Sequence, residues 1–428
     1  MDGLHPPAVP LEAAVAVPVD IEQVEGTLHF DVAARVATAE ARVELVVGPA
    51  TGCPVLDLRQ RVDGVVLDGQ RLPAEAFVHR DLGGGSGAQM RVLDRVLAAG
   101  SRHVLELSYP LGVPDAEGAQ PVAWGDGTVR FDLWMSDLHP GRYLEMWLPA
   151  NLCHDRFRLV VDVEIHGADV AHAVLSNGAG EAAGPARTRV AYPPQYTSLS
   201  PMLVVAPTTE LEIRRRSVDL AGRAGPLRMV TAALAEAEAD VAACEDDIAG
   251  WLAHLAARYG PWAHGNWFTT VIWGPGRGME YDGATTASVR ALEHEVFHSW
   301  FGRGVKPARA SDGWIDEAWT TWATAGSRYD GPRFAVEELG LGEDPVVLYP
   351  PHPWSRATPV ESYRKGARLF AGLAHLLGGA DRLRSAMAAW YRAHAGGLVS
   401  TDGLEAHLGE WAGVDVGPWF RRYVHGES

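Results

Sequence analysis

Residues 293–300 read Glu293-His294-Glu295-Val296-Phe297-His298-Ser299-Trp300. In a helix, residues four apart stand one turn above each other on one face, with their β-carbons about 6 Å apart. His294 and His298 then point the same way and can reach a single zinc ion at about 2.0–2.1 Å. Val289, Leu292, Val296 and Trp300 fall on the opposite face, which anchors the helix in a core. Glu295 lies between the two histidines in sequence and flanks the same polar face.

Two protein ligands rarely settle a zinc ion, so the chain must supply a third. Glu317 follows, with eighteen residues between it and His298, within Trp314-Ile315-Asp316-Glu317-Ala318-Trp319. The Gly302–Gly313 segment between them is long enough to turn the chain and bring a second helix alongside. Two histidines, one carboxylate and an open fourth position form the catalytic arrangement, whereas a structural site is closed by four protein ligands. The expectation is one zinc ion per chain, held by His294, His298 and Glu317. Zinc keeps a net positive field there, lowers the pKa of a bound water and polarises a carbonyl. Glu295, free of ligation, is placed to take the water's proton as a general base. Asp312, five residues before Glu317, reads either as an acceptor that orients a ligating histidine or as the cap of the Glu317 helix.

Outward from this centre the chain falls into two halves of different texture. From about residue 26 to 207 short alternating segments recur: Leu28-Phe30-Val32, Val43-Leu45-Val47, Leu105-Leu107-Tyr109, Val129-Phe131-Leu133 and Phe157-Leu159-Val161-Val163-Ile165. Turn clusters such as Asp81–Gly87 and Ser176–Gly180 separate them. This predicts an antiparallel, sandwich-like β domain over residues 1–208. Past residue 209 the pattern changes to one strand at Glu212-Ile213-Arg214 and a helical stretch from Leu227 to Tyr259. A buried strand follows at Phe268–Trp273, and helices dominate from Thr285 onward. The expected class is α+β, with the second domain spanning 209–428.

The 428 residues suit two domains, and 47% apolar with 21% charged residues is an ordinary globular balance. A formal charge of −17 disfavours nucleic acid as a partner and mildly favours positively charged substrates. Cys53, Cys153 and Cys244 make neither a disulfide framework nor a metal pattern, which points to a reducing, cytoplasmic setting. No signal peptide and no membrane span are expected.

Four segments together resemble the gluzincin aminopeptidases, the family of aminopeptidase N and leukotriene hydrolase. His294–Gly302 and Trp314–Glu317 resemble its zinc motifs, the latter its Trp-Leu-Asn-Glu segment. Gly278-Met279-Glu280-Tyr281 is similar to its Gly-x-Met-Glu-Asn motif, and Tyr363-Arg364-Lys365-Gly366 to its Tyr-x-Lys-Gly segment. The resemblance extends to Val174–Gly178 in the β-rich half and to Trp419–Val424 at the close of the catalytic domain. The family's large helical C-terminal domain has no counterpart.

The resemblance implies an N-terminal saddle-like β domain and a thermolysin-like, mainly helical zinc domain. By the same resemblance Tyr363 donates a hydrogen bond to the oxyanion, and Glu280, with Gly278 and Met279, binds the substrate's free α-amino group. Two departures concern the substrate side. Only thirteen residues separate Glu280 from His294, fewer than in the family. Met146-Trp147-Leu148-Pro149-Ala150-Asn151 stands where the family has Phe-Pro-Cys-x-Asp-Glu-Pro. Asp137 and Glu145 are candidate residues for a pocket rim. The partner is then a peptide or a small amine-bearing substrate. A zinc hydrolase acting on a non-peptide small molecule, or a non-catalytic binding scaffold, stays open as an alternative.

Overall fold

The computed structural model describes residues 5–427 except 12–13, 84–88, 115–120, 133–134, 137, 139–140, 153, 275, 277, 326–353 and 355–357. Leu133, Asp137, Cys153 and much of the Asp81–Gly87 turn therefore lie outside the described residues. The chain divides into two compact units, Met1–Glu212 with Pro353–Arg356, and Ile213–His352 with Ala357–Ser428.

In the first unit the two-residue alternation of the sequence becomes a large sheet. Val15–Asp31 and Val36–Val47 pair antiparallel, with a register shift between Ile21 and Gln23. Arg102–Pro110 continues the antiparallel order on the far side of Val36–Val47. Leu28, Phe30, Val43, Leu45, Leu105 and Val161 alternate inward and are fully buried. The sheet is mixed, however, where an antiparallel one was expected. Arg158–His166 runs parallel to Val15–Asp31 over nine residue pairs, and Cys53–Leu56 also runs parallel to it. Alternation fixes which face a residue takes and carries no information on the direction of its neighbour. Among the described residues twelve strands make this sheet, and a four-stranded sheet lies in the same unit.

The second unit is not mainly helical at its start. Among the described residues five strands form a sheet in the order 211–218, 227–234, 267–272, 284–287, 278–281. Its second strand, Leu227–Leu234, corrects the helix expected from Leu227. Leucine, methionine and alanine favour helix, but here they lie parallel to Trp267–Ile272 and are buried on both faces. Burial beside a parallel neighbour overrides propensity, and from Thr231 to Leu234 successive buried residues remove the alternation that marks the strand's first half. The helix begins at Val241, where Asp240 accepts from the Ala243 backbone N–H at 3.0 Å. This helix, α1 (Val241–Tyr259), buries Cys244, Ile248, Leu252, Leu255 and Tyr259 at helical spacing.

Among the described residues six more helices follow: α2 (Leu292–Phe297), α3 (Trp314–Thr324), α4 (Glu361–Leu376), α5 (Ala380–His394), α6 (Thr401–Ala412) and α7 (Gly417–Phe420). Among the described residues none is long and apolar enough to cross a membrane. They enclose a core rich in aromatic rings, with Tyr259, Phe297, Phe301 and Trp319 in mutual edge or stacked contact. Burying each such side chain contributes about 1.5–3 kcal/mol. This core fixes the backs of α2 and α3, whose other faces carry the polar residues.

Close approach of α3 and α4 depends on Gly366. A β-carbon there would stand 2.5 Å from the Ala318 β-carbon and 3.2 Å from its α-carbon. Gly366→Ala gains a better helix former, yet the overlap at a backbone-proximal atom outweighs that gain. We expect a loss of about 1–3 kcal/mol, seen in a thermal melt as a drop of roughly 2–4 °C per kcal/mol. A melting temperature equal to or above that of the parent would show that the two helices can separate freely.

Candidate metal centre

The strand Ala284–Ala287 delivers the chain into α2. The helix is only six residues long and ends at Phe297, so His298 is its C-terminal boundary residue. His298 nevertheless keeps right-handed helical dihedrals (φ −57°, ψ −19°), and its N–H bonds the His294 carbonyl at 3.3 Å. The four-residue spacing therefore survives the early end of the helix. Leu292, Val296 and Trp300 are buried behind it, whereas Val289, expected on the same anchoring face, is 47% exposed because the helix starts after it.

Glu317 comes from the first turn of α3, and its Oε2 lies 3.3 Å from His294 Nε2 and 3.6 Å from His298 Nε2. One donor atom from each of the three residues falls within 4.8 Å of the others. Tetrahedral ligands at zinc distances of 2.0–2.1 Å are about 3.3–3.4 Å apart. His298 Nε2 is buried and has no hydrogen-bond partner, an expensive state for a polar atom inside a protein. An orphaned nitrogen beside a carboxylate at this separation fits a zinc ion.

The other ring nitrogen of His298 is held. Asp316 Oδ1 makes a short contact with Nδ1, and Asp316 is 3% exposed. A carboxylate on Nδ1 fixes the ring and leaves Nε2 to face the ligand position. The acid on this histidine is Asp316, which the sequence did not single out, and not Asp312. Asp312 takes neither of its two expected roles: its Oδ1 accepts from the Thr401 N–H and hydroxyl at 2.8 and 2.9 Å, which ties the start of α6 to this loop. The signal that could have found Asp316 is a second acid next to Glu317 in an otherwise apolar, buried helix.

Around these candidate ligands lie the remaining polar residues. Glu295 is 7% exposed, and burial, followed by the charge of Glu280, holds its carboxyl well above the usual range. Its Oε1 packs so near Gly278 that a β-carbon there would lie 2.2 Å away. Tyr363, on α4, donates a short hydrogen bond to Glu317 Oε1 and stacks on His294 with ring centroids 6.1 Å apart. Burial and then the Glu317 carboxylate raise the phenol, which keeps it a donor. Burial raises the Glu317 carboxyl, but its bond to His294 and the charge of His298 leave it below its ordinary value. Met279 is buried, and its carbonyl accepts from Thr285 Oγ1 at 2.9 Å. Lys365 faces outward and is exposed. Glu280, on the edge strand Gly278–Tyr281, is buried and ion-paired with Arg303 at 2.8 Å. Arg303 was not anticipated, since nothing in the sequence marks a loop arginine as buried. Glu145 belongs to the first unit and is fully buried.

Neither a scan of protein-family models nor a search of curated proteins finds a match to this chain. Solved structures do. The chain is similar to an M1 zinc metallopeptidase from Deinococcus radiodurans, with a TM-score of 0.68 and 20% identity over 96% of this chain and 94% of that one. It is similar to a variant of a two-domain M1 zinc metallopeptidase bound to L-tryptophan (TM-score 0.66, 19% identity, 99% and 97% covered). It also matches Legionella pneumophila aminopeptidase A in complex with aspartic acid (TM-score 0.68, 13% identity), over 96% of this chain and 50% of that chain. The chain has the fold of the two-domain M1 zinc metallopeptidases.

The grip of Asp316 on His298 leads to an expected outcome. Asp316→Ala frees the ring to turn and should weaken zinc binding roughly 10- to 100-fold, measured by competition with a chromophoric chelator. Unchanged affinity would mean that Asp316 has no part in presenting Nε2.

Proposed function

We propose that this protein is a zinc-dependent aminopeptidase, hydrolysing the amide bond after the first residue of a peptide or an aminoacyl amide. The observation that carries this reading is the convergence of His294, His298 and Glu317 beside a buried Glu295 that makes no part of the ligand set. The catalytic unit is read as thermolysin-like, in keeping with the fold described above. Its donor set of two imidazoles and one carboxylate suits one zinc ion per chain.

When bound, zinc lowers the pKa of a coordinated water and polarises the substrate carbonyl. Glu295, squeezed between the metal-ligand helix and Gly278, takes the water's proton and hands it to the leaving amine. The Tyr363 hydroxyl, now bonded to Glu317 Oε1 on the side away from the ligand oxygen Oε2, would turn to the oxyanion that develops on the former substrate carbonyl. Glu280 meets the substrate's ammonium group in a dry surrounding where a charge-assisted hydrogen bond is strong. Gly278 contributes by having no side chain.

Elemental analysis should find about one zinc per chain, with His294→Ala and Glu317→Ala depleted. Equal zinc in all three proteins removes the assignment. Glu295→Gln keeps zinc and loses about 10²–10⁴ in turnover, and Tyr363→Phe keeps zinc and loses about 10²–10³. Free aminoacyl amides should be hydrolysed and their N-acetyl counterparts spared. Equal rates on both, or zinc-loaded protein inert on every amide, would overturn the aminopeptidase reading.

A separate expected outcome concerns the room left for Glu295. In Gly278→Ala the new methyl overlaps the far end of the flexible Glu295 side chain and reaches only ordinary contact, 3.4 Å, with the Ala291 β-carbon, so the fold holds. Its melting temperature and zinc content stay near those of the parent, while kcat falls tenfold or more, on the order of a displaced catalytic group. Undiminished kcat would show that Glu295 does not work from this position.

A further inference from the structure

Arg303 follows α2 in a tight turn and is 1% exposed. Its backbone N–H bonds the His298 carbonyl at 3.0 Å. Its guanidinium reaches the edge strand, where Nη2 donates to Glu280 Oε1 at 2.8 Å and Nε to the Glu280 main-chain carbonyl at 3.3 Å. Nη1 donates to the Gly302 carbonyl at 3.4 Å. One residue thus grips Glu280 by both its side chain and its backbone, while its own backbone is fastened to a proposed zinc ligand.

The surroundings explain why such a grip is needed. Oxygens of Glu280 and Asp316 and a nitrogen of His298 lie within 4.8 Å of one another. A glutamate with three rotatable bonds, buried beside another carboxylate and an imidazole, has alternative places to turn. Arginine is permanently charged, and its planar fork fixes a carboxylate in direction as well as distance. Removing one partner of a buried pair leaves the other charge uncompensated.

We propose that Arg303 is the positioning residue for amine selectivity, holding the Glu280 carboxylate where a substrate's primary ammonium group docks at a fixed distance from the metal ligands. The ligand class is a free α-amine next to the scissile carbonyl. The proposal rests on Glu280 as the amine reader in the preceding reading.

The test compares kcat/KM on matched aminoacyl and N-acetyl-aminoacyl amides for the zinc-loaded wild type, Arg303→Gln, Arg303→Lys, Glu280→Gln and the double variant Arg303→Gln/Glu280→Gln. Arg303→Gln should lower the preference for the free amine about 10- to 100-fold, chiefly through KM, with zinc content unchanged. Arg303→Lys keeps the charge but not the fork and should fall between the two. In the double variant the loss should equal that of Glu280→Gln alone, because residues acting through one contact are not additive. Calorimetric titration of an amino-acid amide into the Glu295→Gln protein, with and without Arg303→Gln, should show the same weakening without turnover.

Retained preference in Arg303→Gln, or losses that multiply in the double variant, would overturn the proposal. If Arg303→Gln does not fold, Arg303→Lys decides, and a preference equal to wild type overturns it. A wild type that hydrolyses both members of a pair equally refutes the role of Glu280 itself, a failure told apart by the parent protein alone.

Discussion

Four carboxyl groups, those of Glu280, Glu295, Asp316 and Glu317, are buried within one unit, each 7% exposed or less. Burying an ionised carboxylate without compensation is prohibitive, so positive charge must be supplied on the spot. Burial pushes Asp316 up to about 7 even as His298 pulls it down. For His298, burial opposes the charge, but Asp316 and Glu280 outweigh it and raise the imidazole well above its ordinary value. Arg303 answers Glu280, and the proposed metal answers Glu317. The arrangement of helices follows from this need: α2 and α3 turn apolar faces to the aromatic core and bring these acids to the histidines.

The same charge balance separates two kinds of acid. Glu317 and Glu280 face cations or hydrogen-bond donors, whereas Glu295 Oε2 is buried with no hydrogen-bond partner. A carboxyl group whose environment withholds stabilisation from its charged form is suited to carry a proton transiently. Identical chemistry in the side chains thus yields distinct proposed roles through neighbours alone.

Much of this was legible from residue order. Period-two alternation at Leu28-Phe30 and Val43-Leu45-Val47 falls in strands with the apolar residues inward, because facing depends only on local geometry, while Val32 lies just past the strand end at Asp31. The spacings of four residues from His294 to His298 and nineteen from His298 to Glu317 named the three residues that the structure brings together. What escaped was set by distant partners. Leu227–Leu234 is a strand because Trp267–Ile272 lies beside it, and no local signal outweighs its helix-forming composition. Asp312 and Asp316 are both plausible acids by spacing, and only the position of Thr401, 89 residues on, separates them. Arg303 and Glu280 are 23 residues apart, and their meeting depends on the path of an irregular turn.

The parallel pairing of Arg158–His166 with Val15–Asp31 sets a timetable for the first unit. One border of Val15–Asp31 can close at once on Val36–Val47, a neighbour in the chain. The other border must wait for a partner translated about 135 residues later. At ribosomal speeds of roughly 5–20 residues per second, that strand edge stays open for on the order of ten seconds during synthesis. Its distant closure is the kind of contact that slows folding, and through that interval a nascent chain offers neighbouring polypeptides a ready template for β-pairing.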